Sequence, residues 1–370
     1  MNQKATALII GGGVMGSAIA LELIKAGIQP TILEKGQFFS EASSASAGMI
    51  CPHAVEFDDQ VPKDILRETV AIYSDWLKEI EDVSGIPVQF VQEGMLRIVL
   101  SEKEQDQVKK KISSRPHGVQ WVDHELLRGL EKDVTEHNFG AVYFPYEGQL
   151  NPAFLSKSLN KALVLQGCEI REGVHVLSLI EKQGNIVGVH TTSGDYYADV
   201  TIVAAGAWST SLVSPFGLEL TVIPEKGQMA NLYTPQTTIK RIIQGPDGII
   251  VPRQNGTITI GATHENAGYD KHPTVSGQTE IYHHNSKLVP GLSQARIRKT
   301  WAGLRPRTPD GLPYIGKIPG VDCLFAATGH YGVGILLAPL TGKLIGEEIQ
   351  SKGHSIDIIP YKPDRLFQKK

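Results

Sequence analysis

A chain of 370 residues, 41% of them hydrophobic and 20% charged, can bury a large core and is expected to form a globular protein of two domains. Its 36 basic and 39 acidic residues give a formal net charge of -3, so no strongly charged surface is expected to attract nucleic acid or anionic lipid. The sequence shows neither an apolar run of membrane-spanning length nor the apolar segment of a signal peptide, which predicts a cytoplasmic protein without membrane insertion.

The first predicted elements are a buried strand at residues 7–10 and a helix at residues 14–26, whose apolar residues recur at helical spacing. Glycines fill the turn between them. Gly11 permits a tight turn, Gly13 lets a pyrophosphate approach the backbone, and Gly16 lets the helix lie close to the strand. Because the N–H groups at the start of a helix attract anions, this segment predicts a phosphate site.

A second predicted strand, at residues 31–33, ends at Glu34. A carboxylate at this position can accept hydrogen bonds from both ribose hydroxyls of an adenosine. Strand, glycines, helix, strand and acid in this order predict a dinucleotide-binding unit of the Rossmann type. Glu34 argues against a 2'-phosphate on that ribose, because two negative charges would then be in contact.

The next segments indicate the start of a second domain. Residues 63–83 predict an amphipathic helix that Gly85 ends, and residues 88–100 predict strand structure with a turn near residues 93–94. A charged helix is predicted at residues 102–112.

A helix at residues 153–166 is expected to lead back to the first domain. Strands are predicted at residues 174–180, 186–191 and 198–205, and the unbroken apolar run of the last one is typical of a fully covered strand. That strand ends in small residues, which would let the backbone come close to the bound dinucleotide.

Residues 222–263 predict antiparallel strands with a hairpin tip at residues 254–256, and a helix is predicted near residues 279–287. The chain then returns to the first domain, where a strand at residues 325–328 precedes a closing helix at residues 335–350. These crossings predict an α/β fold of two interleaved domains. The dinucleotide-binding domain is predicted at residues 1–85, 151–220 and 300–370, and the substrate domain at residues 86–150 and 221–299.

Neither a disulfide nor a metal site is predicted. The cysteines at positions 51, 168 and 323 are odd in number, scattered and free of metal-ligand spacing, so we expect reduced thiols. The pair His283-His284 is interpreted as part of a helix face, because neighbouring helical residues point in different directions.

A second glycine-rich strand-to-helix junction, at residues 330–336, favours a flavin over a nicotinamide cofactor. A nicotinamide enzyme needs only one glycine-rich unit. A reduced flavin carries negative charge near its N1 atom and C2 carbonyl, and the N-terminus of a helix stabilises such charge. A nicotinamide dehydrogenase remains the weakest alternative.

On five segments the sequence resembles the D-amino-acid oxidase superfamily of FAD-dependent amine oxidoreductases, and within it the bacterial glycine oxidases of thiamin biosynthesis. The likeness covers nearly the whole chain. The segments that carry it are residues 11–16 with Glu34, 43–49, 203–208, 301–306, and 329–331 with 334–339.

The resemblance implies a glutathione-reductase-type FAD domain, a substrate domain built on a mostly antiparallel sheet, non-covalent FAD and a homo-oligomer. It implies that Ser43 and Ser44 lie near the pyrophosphate, that residues 47–49 line the flavin, and that the Val176 backbone meets the adenine. The cofactor-binding residues that motif and resemblance together predict are Gly11, Gly13, Val14, Met15, Gly16, Glu34, Lys35, Ser43, Ser44, Ala47, Gly48, Met49, Val176, Ala205, Gly206, Trp208, Arg305, His330, Tyr331, Gly332, Val333, Gly334, Ile335 and Leu336.

Arg305 is the first candidate for a substrate ligand. An amino-acid substrate needs its carboxylate held in place, and a guanidinium offers two parallel donors to a carboxylate. The resemblance places Arg305 at the superfamily's carboxylate-binding arginine. Residues predicted to line the substrate pocket together with it are His264, Met49, Ile249, Tyr331 and Gly332.

Two departures from the glycine oxidases bear on the substrate. Ile249 stands where they have a tyrosine, and Gly332 stands where they have a second arginine. Loss of a hydroxyl and a guanidinium makes a pocket larger and less polar, which favours a bulkier or N-substituted amino acid such as sarcosine, a D-amino acid or a cyclic imino acid. His264, where the family often has an apolar residue, is a candidate to restore some polarity.

The reaction that the resemblance implies is oxidation of a small amino acid, in which hydride passes to flavin N5 and O2 reoxidises the flavin to give H2O2. The products are an imino acid or 2-oxo acid and ammonia or an amine, and no protein acid or base is required. Two alternatives stay open, a dehydrogenase of the same fold that passes electrons to a partner, and a flavin-bound module without turnover. Cys51 follows the flavin-lining segment and is interpreted as a small buried residue rather than a point of covalent attachment.

Overall fold

The computed structural model describes residues 6–113, 118–216 and 220–366. The strands are β1 Thr6–Ile10, β2 Gln29–Glu34, β3 Met49–Ile50, β4 Met95–Ile98, β5 Gln120–Val122, β6 Ala141–Phe144, β7 Gly148–Gln149, β8 Glu169–Glu172, β9 Val176–Lys182, β10 Asn185–Thr191, β11 Gly194–Tyr197, β12 Val200–Val203, β13 Ile223–Tyr233, β14 Ile242–Gln244, β15 Ile249–Pro252, β16 Thr257–Gly261, β17 Arg296–Arg307, β18 Tyr314–Lys317 and β19 Leu324–Thr328.

The α-helices are α1 Val14–Lys25, α2 Ala42–Ala45, α3 Pro52–Phe57, α4 Lys63–Ser84, α5 Glu102–Ser113, α6 His124–Leu130, α7 Pro152–Leu165, α8 Ser209–Val213, α9 Val275–Leu288 and α10 Gly334–Ile349. Short 3-10 helices cover Gly206–Trp208, Ser214–Phe216, Pro290–Gln294, Tyr331–Val333 and Ile359–Tyr361.

A six-stranded sheet in the order β18-β19-β12-β1-β2-β8 forms the first half of the molecule. Its strands run parallel except for β18, which is antiparallel to β19. Helices α1, α4, α7 and α10 cover one face with a large apolar core, and the three-stranded sheet β9–β11 packs on the other. Apolar β1 therefore lies in the middle of a sheet that is covered on both sides, as its sequence predicts.

Glycine brings α1 close to this sheet. A Cβ atom added at Gly16 would collide with the carbonyl oxygen of Gly11, so only glycine lets the first turn of the helix sit on the end of β1. Later in the chain, Gly85 ends α4 in the left-handed conformation with φ 65°, as predicted.

An eight-stranded sheet in the order β17-β13-β16-β15-β14-β4-β6-β5 forms the second half. All its neighbouring strands are antiparallel except β14 and β4. The hairpin of β15 and β16 has its turn at the predicted Asn255-Gly256. Helices α6 and α9 pack on one face of this sheet, and α3 and α5 pack on the other.

The predicted α/β fold class, a Rossmann-type domain combined with a mostly antiparallel sheet, is confirmed. Within it, the strand predicted at residues 88–100 is shorter, because only residues 95–98 pair in the sheet. The domain boundaries stay a prediction. The strands of the six-stranded sheet all fall in the three segments predicted for the dinucleotide domain, whereas β17 runs across the predicted boundary at residue 300.

Within the described ranges, the helices are all too short or too polar to cross a membrane. Groups of three or more potential metal ligands are likewise absent from this part of the chain. The cysteines are free thiols, and burial raises the pKa of Cys51 well above its usual range and that of Cys168 to about 12.

Candidate active site

A cavity of about 490 Å³ lies between the two large sheets. The carboxyl ends of β1, β2, β12 and β19 reach it from one side, and β13, β15 and β17 reach it from the other. Ligands of parallel α/β sheets bind at the carboxyl ends of the strands. The cavity extends from Glu34 and Val176 at one end to Ile249 and Arg305 at the other.

The carboxylate of Glu34 lies at one end of the cavity and is held by backbone donors. Glu34 is only 6% exposed, and its carboxylate accepts the backbone N–H of Gly12 on Oε2 at 2.8 Å and that of Gly36 on Oε1 at 2.9 Å. Each carboxylate oxygen can accept a further hydrogen bond, since it offers about two lone pairs. The two backbone donors thus hold the carboxylate in one orientation.

Glycines keep the turn between β1 and α1 free of side chains. Gly11 has φ +114°, and a Cβ atom there would collide with the carbonyl of Ala204, so β1 and β12 approach as closely as their backbones allow. The N–H of Val14, at the start of α1, donates to Ser43 Oγ at 3.0 Å. A Cβ atom added at Gly13 would lie 3.1 Å from the same hydroxyl. Gly13 and Ser43 therefore border a cradle that a side chain would fill.

A cationic and aromatic wall flanks this half of the cavity. Lys35 Nζ lies 3.0 Å from the ring centroid of Trp208, and the ring of Tyr269 packs on the same indole at 5.5 Å. Lys271 donates to both oxygens of Glu41 at 2.8 and 2.9 Å. Tyr269 and Lys271 come from the loop between β16 and α9, and sequence reasoning did not single them out. Their contacts tie the antiparallel half of the protein to the dinucleotide half.

Arg253 fixes the segment predicted to line the flavin. Its Nη2 donates to the carbonyl of Ala47 at 2.6 Å, and Nη1 donates to the carbonyl of Leu150 at 2.9 Å. Burial lowers the pKa of Arg253 to about 10, which still leaves the guanidinium charged at neutral pH. Gly48, with φ +69°, lies where a Cβ atom would collide with the Leu150 carbonyl. Sequence reasoning missed Arg253, which acts on the site only through this backbone.

The second glycine-rich junction lies at the N-terminus of α10, and Gly334 and Ile335 line the cavity there. His330 is buried beside them, with Nε2 3.0 Å from Thr341 Oγ1. Burial lowers the pKa of His330 to about 3, so its imidazole is neutral. Tyr331 lines the cavity in the left-handed conformation with φ 45°. The junction thus presents the start of a helix and a neutral ring to the cavity.

Arg305 is held flat against the backbone of β13. A Cβ atom added at Gly227 would lie 2.5 Å from Nη2 of Arg305, so glycine is required under the guanidinium. Nη1 donates to the carbonyl of Thr263 at 3.0 Å. The side chain is 21% exposed, and burial lowers its pKa without removing its charge. A guanidinium oriented in this way and facing a cavity can bind a carboxylate.

Behind Arg305 lies Glu225, which sequence reasoning missed. Its Oε1 accepts the hydroxyl of Tyr331 at 2.5 Å and lies 2.7 Å from Nδ1 of His264. The same oxygen is 3.6 Å from Nη1 of Arg305, and Oε2 is 3.2 Å from Nε of Arg307. Burial raises the pKa of Glu225, but the hydrogen bonds of Tyr331 and His264 and the charge of Arg305 outweigh it and hold the pKa below its usual value.

The expectation that His264 lines the pocket is not met. Its side chain is 64% exposed and lies beyond Glu225 and Tyr331, because the loop after β16 turns away from the cavity at this residue. Four predicted cofactor residues also lie outside the lining. Gly16 is a buried residue of α1 and Leu336 is a buried residue of α10. Ser44 Oγ donates to the carbonyl of Glu41, and Val333 packs against the core.

Most of the predicted residues lie together on the cavity. Those of the predicted cofactor set that line it are Gly11, Gly13, Val14, Met15, Glu34, Lys35, Ser43, Ala47, Gly48, Met49, Val176, Ala205, Gly206, Trp208, Arg305, His330, Tyr331, Gly332, Gly334 and Ile335, and Ile249 of the predicted substrate residues joins them.

The residues present fit a flavin adenine dinucleotide. One continuous cavity has a ribose acceptor at Glu34, a cradle at Gly13 that a Cβ atom would fill, and a helix N-terminus at Gly334. Residues 6–348 match the sequence model of the DAO family, which is described as FAD dependent oxidoreductase. The chain belongs to the DAO family of FAD-dependent oxidoreductases.

The chain is also similar to individual proteins. The glycine oxidase of Geobacillus kaustophilus is 32% identical over 100% of this chain and 99% of its own length. The crystal structure of glycine oxidase from the same species has a TM-score of 0.93 at 31% identity, covering 98% of this chain and 99% of that one. The bifunctional protein ThiO/ThiG of Trichormus variabilis is 34% identical over 92% of this chain, which spans only 52% of that longer protein.

For this DAO family member, the predicted superfamily and the FAD cofactor are therefore confirmed. The predicted class of enzyme is confirmed as an FAD-dependent oxidoreductase, and relatives that are named glycine oxidases support oxidation of an amine or amino acid. The roles of individual site residues stay predictions.

Proposed function

We propose that the protein oxidises a small amino acid, with FAD as the electron acceptor and O2 as the oxidant that regenerates it, to an imino acid or 2-oxo acid and H2O2. The observation that carries this proposal is Arg305, a half-buried guanidinium that faces the same cavity as the dinucleotide cradle. A carboxylate bound there would place the adjacent carbon inside the cavity. The names of the glycine oxidase relatives support the same reaction.

When bound, FAD supplies a hydride acceptor at flavin N5. The protein's own groups bind and orient. Glu34 and the amides at the start of α1 would hold the adenosine and the pyrophosphate, and the amides at the start of α10 would stabilise negative charge on the flavin. Arg305 would hold the substrate carboxylate. Met49 and Ile249 line the cavity with apolar surface, which disfavours water there.

The pocket favours substrates larger than glycine or substituted on nitrogen. Ile249 lines the cavity without a polar group. A Cβ atom added at Gly332 would have open space around it, since the described residues place no heavy atom within 4 Å. We infer that glycine is accepted but that sarcosine, small D-amino acids or cyclic imino acids fill the pocket better.

The experiment that tests this proposal is anaerobic reduction of the flavin, followed by its absorbance. We expect bleaching by at least one of glycine, sarcosine, D-alanine and D-proline, followed by stoichiometric O2 uptake when air is admitted. Bleaching without O2 uptake, but with transfer to an artificial dye, would identify a dehydrogenase instead. A flavin that none of these amines bleaches would contradict amino-acid oxidation.

Substitution of Ile249 by tyrosine should shift the substrate preference toward glycine. The larger ring fills part of the cavity that Ile249 lines and adds a hydroxyl, so kcat/KM for the best bulky substrate should fall about tenfold relative to kcat/KM for glycine. Ile249→Val is the matched control. It removes one methylene and should change that ratio by less than about threefold. An unchanged ratio in Ile249→Tyr would remove Ile249 from the substrate pocket.

A further inference from the structure

Among the described residues, Glu225 is the one carboxylate that lies against Arg305, the proposed substrate ligand. Neither the motifs nor the resemblance assign Glu225 a role. It lies on β13 directly opposite Arg305 of β17 in the antiparallel register. Its carboxylate is 16% exposed and lies behind Arg305 and Tyr331, outside the cavity lining. A substrate in the cavity would therefore feel its charge through Arg305 and Tyr331 without touching it.

Four groups from three directions face this carboxylate. Arg305 and Arg307 approach from β17, His264 from the loop after β16, and Tyr331 from the turn before α10. The charges of Arg305, Arg307 and Glu225 sum to one positive unit, because the carboxylate cancels one of the two guanidinium charges. Glu225 therefore lowers the positive charge that a carboxylate ligand at Arg305 would meet.

We propose that Glu225 is a positioning residue that holds Tyr331 and Arg305 in the wall of the pocket. Its charge weakens binding of a carboxylate that lacks an ammonium group more than it weakens binding of a zwitterionic amino acid. This inference rests on the proposed amino-acid oxidation. A plain carboxylate has no positive charge of its own to offset its repulsion by Glu225. A zwitterion carries its own positive charge, and the attraction of that charge to Glu225 offsets part of the repulsion.

The consequence concerns the product. Oxidation and hydrolysis convert a zwitterionic amino acid into a 2-oxo acid, which keeps the carboxylate and has lost the ammonium group. Glu225 repels this anion more than it repels the substrate. It therefore favours release of the product and weakens inhibition by simple carboxylic acids.

Glu225→Gln tests the charge and keeps the shape. The amide oxygen can still accept the Tyr331 hydroxyl, so the loss of charge is separated from the loss of that hydrogen bond. Acetate is the probe, titrated into the FAD-loaded protein and followed by flavin absorbance and by calorimetry. We expect acetate to bind about tenfold more tightly to Glu225→Gln than to the unsubstituted protein, with KM for the best amino acid changed by less than about threefold.

Arg307→Gln should change acetate affinity in the opposite direction. Arg307 is 42% exposed and also faces Glu225, so removing its charge should weaken acetate binding by a few fold. Opposite shifts in the two variants separate a role of charge from a general loss of structure, which would weaken acetate binding in both. Glu280→Gln, at an exposed position on α9, is the control for a charge change away from the cavity and should leave acetate binding unchanged.

Acetate binding that is unchanged or weaker in Glu225→Gln overturns the inference, and so does acetate that binds to neither protein. Both variants weakening acetate binding would show that the cluster only holds the fold, which also overturns the charge role. Failure of the proposed function is a separate result. In that case no amino acid bleaches the flavin, yet acetate would still bind more tightly to Glu225→Gln.

Discussion

Replacing Arg305 with alanine is expected to raise the apparent substrate constant of the enzyme by about two to three orders of magnitude, while FAD stays bound. Truncating one partner of a partly buried, charge-assisted hydrogen-bonded pair costs roughly 2–5 kcal/mol, or about 1.5 to 3.5 orders of magnitude, and the expected effect lies within that range. FAD retention is expected because Glu34 and the glycine turn lie at the other end of the cavity. The measurement is anaerobic flavin reduction against substrate concentration, with the flavin content read from absorbance.

Arg305→Lys is the matched control for this prediction. Lysine keeps the positive charge but offers a point charge in place of two parallel donors, so its substrate constant should lie between those of the native protein and Arg305→Ala. Gly227 has no side chain under the guanidinium, so a lysine side chain would not collide with it there. Kinetics in Arg305→Ala that match those of the unsubstituted protein would show that the carboxylate binds elsewhere.

Replacing Glu34 with alanine is expected to weaken FAD binding by about one hundredfold or more. The change removes the acceptor for the ribose hydroxyls, and hydrogen bonds to a charged group contribute about 1.5–3 kcal/mol each. It also leaves the N–H groups of Gly12 and Gly36 without their present acceptor. The measurement is the dissociation constant of FAD, obtained by titrating flavin into the apoprotein and following the quenching of flavin fluorescence.

Glu169→Gln is the control for Glu34→Ala. Glu169 is an exposed residue of β8, the strand that pairs with β2. Replacing its carboxylate with an amide should leave the affinity for FAD unchanged. Because loss of bound FAD also lowers apparent stability by mass action, the midpoint of thermal unfolding should fall in Glu34→Ala and recover partly at high FAD concentration. Full FAD affinity in Glu34→Ala would contradict the assigned place of the adenosine ribose.

The dinucleotide half could be predicted from sequence because its signals are local. Strand β1, the glycine turn, helix α1 and Glu34 follow one another within residues 6–34, and each step depends on neighbours a few positions away. The shorter strand in residues 88–100 shows the limit. Its length is set by which residues find a partner strand, and β14 and β6 come from distant parts of the chain.

The candidate substrate site could be predicted only in part. Arg305 was found because its local motif resembles a family motif, and Ile249 and Gly332 were found as departures from one. Glu225 and Arg253 carry no such local signal, since a charged residue in or beside a strand is usually exposed to solvent. His264 was predicted in the pocket, but the direction of the loop after β16 places it outside.

The sequence by itself determined the dinucleotide cradle, the closing glycine junction and the choice of flavin, because backbone sterics and helix N-termini act over a few residues. Only the tertiary structure decided which charged and polar groups surround Arg305. Glu225 meets Tyr331 across 106 residues of sequence and His264 across 39, through the register of antiparallel strands and the path of two loops. Coulomb interactions depend on distance in space, and sequence separation does not report that distance.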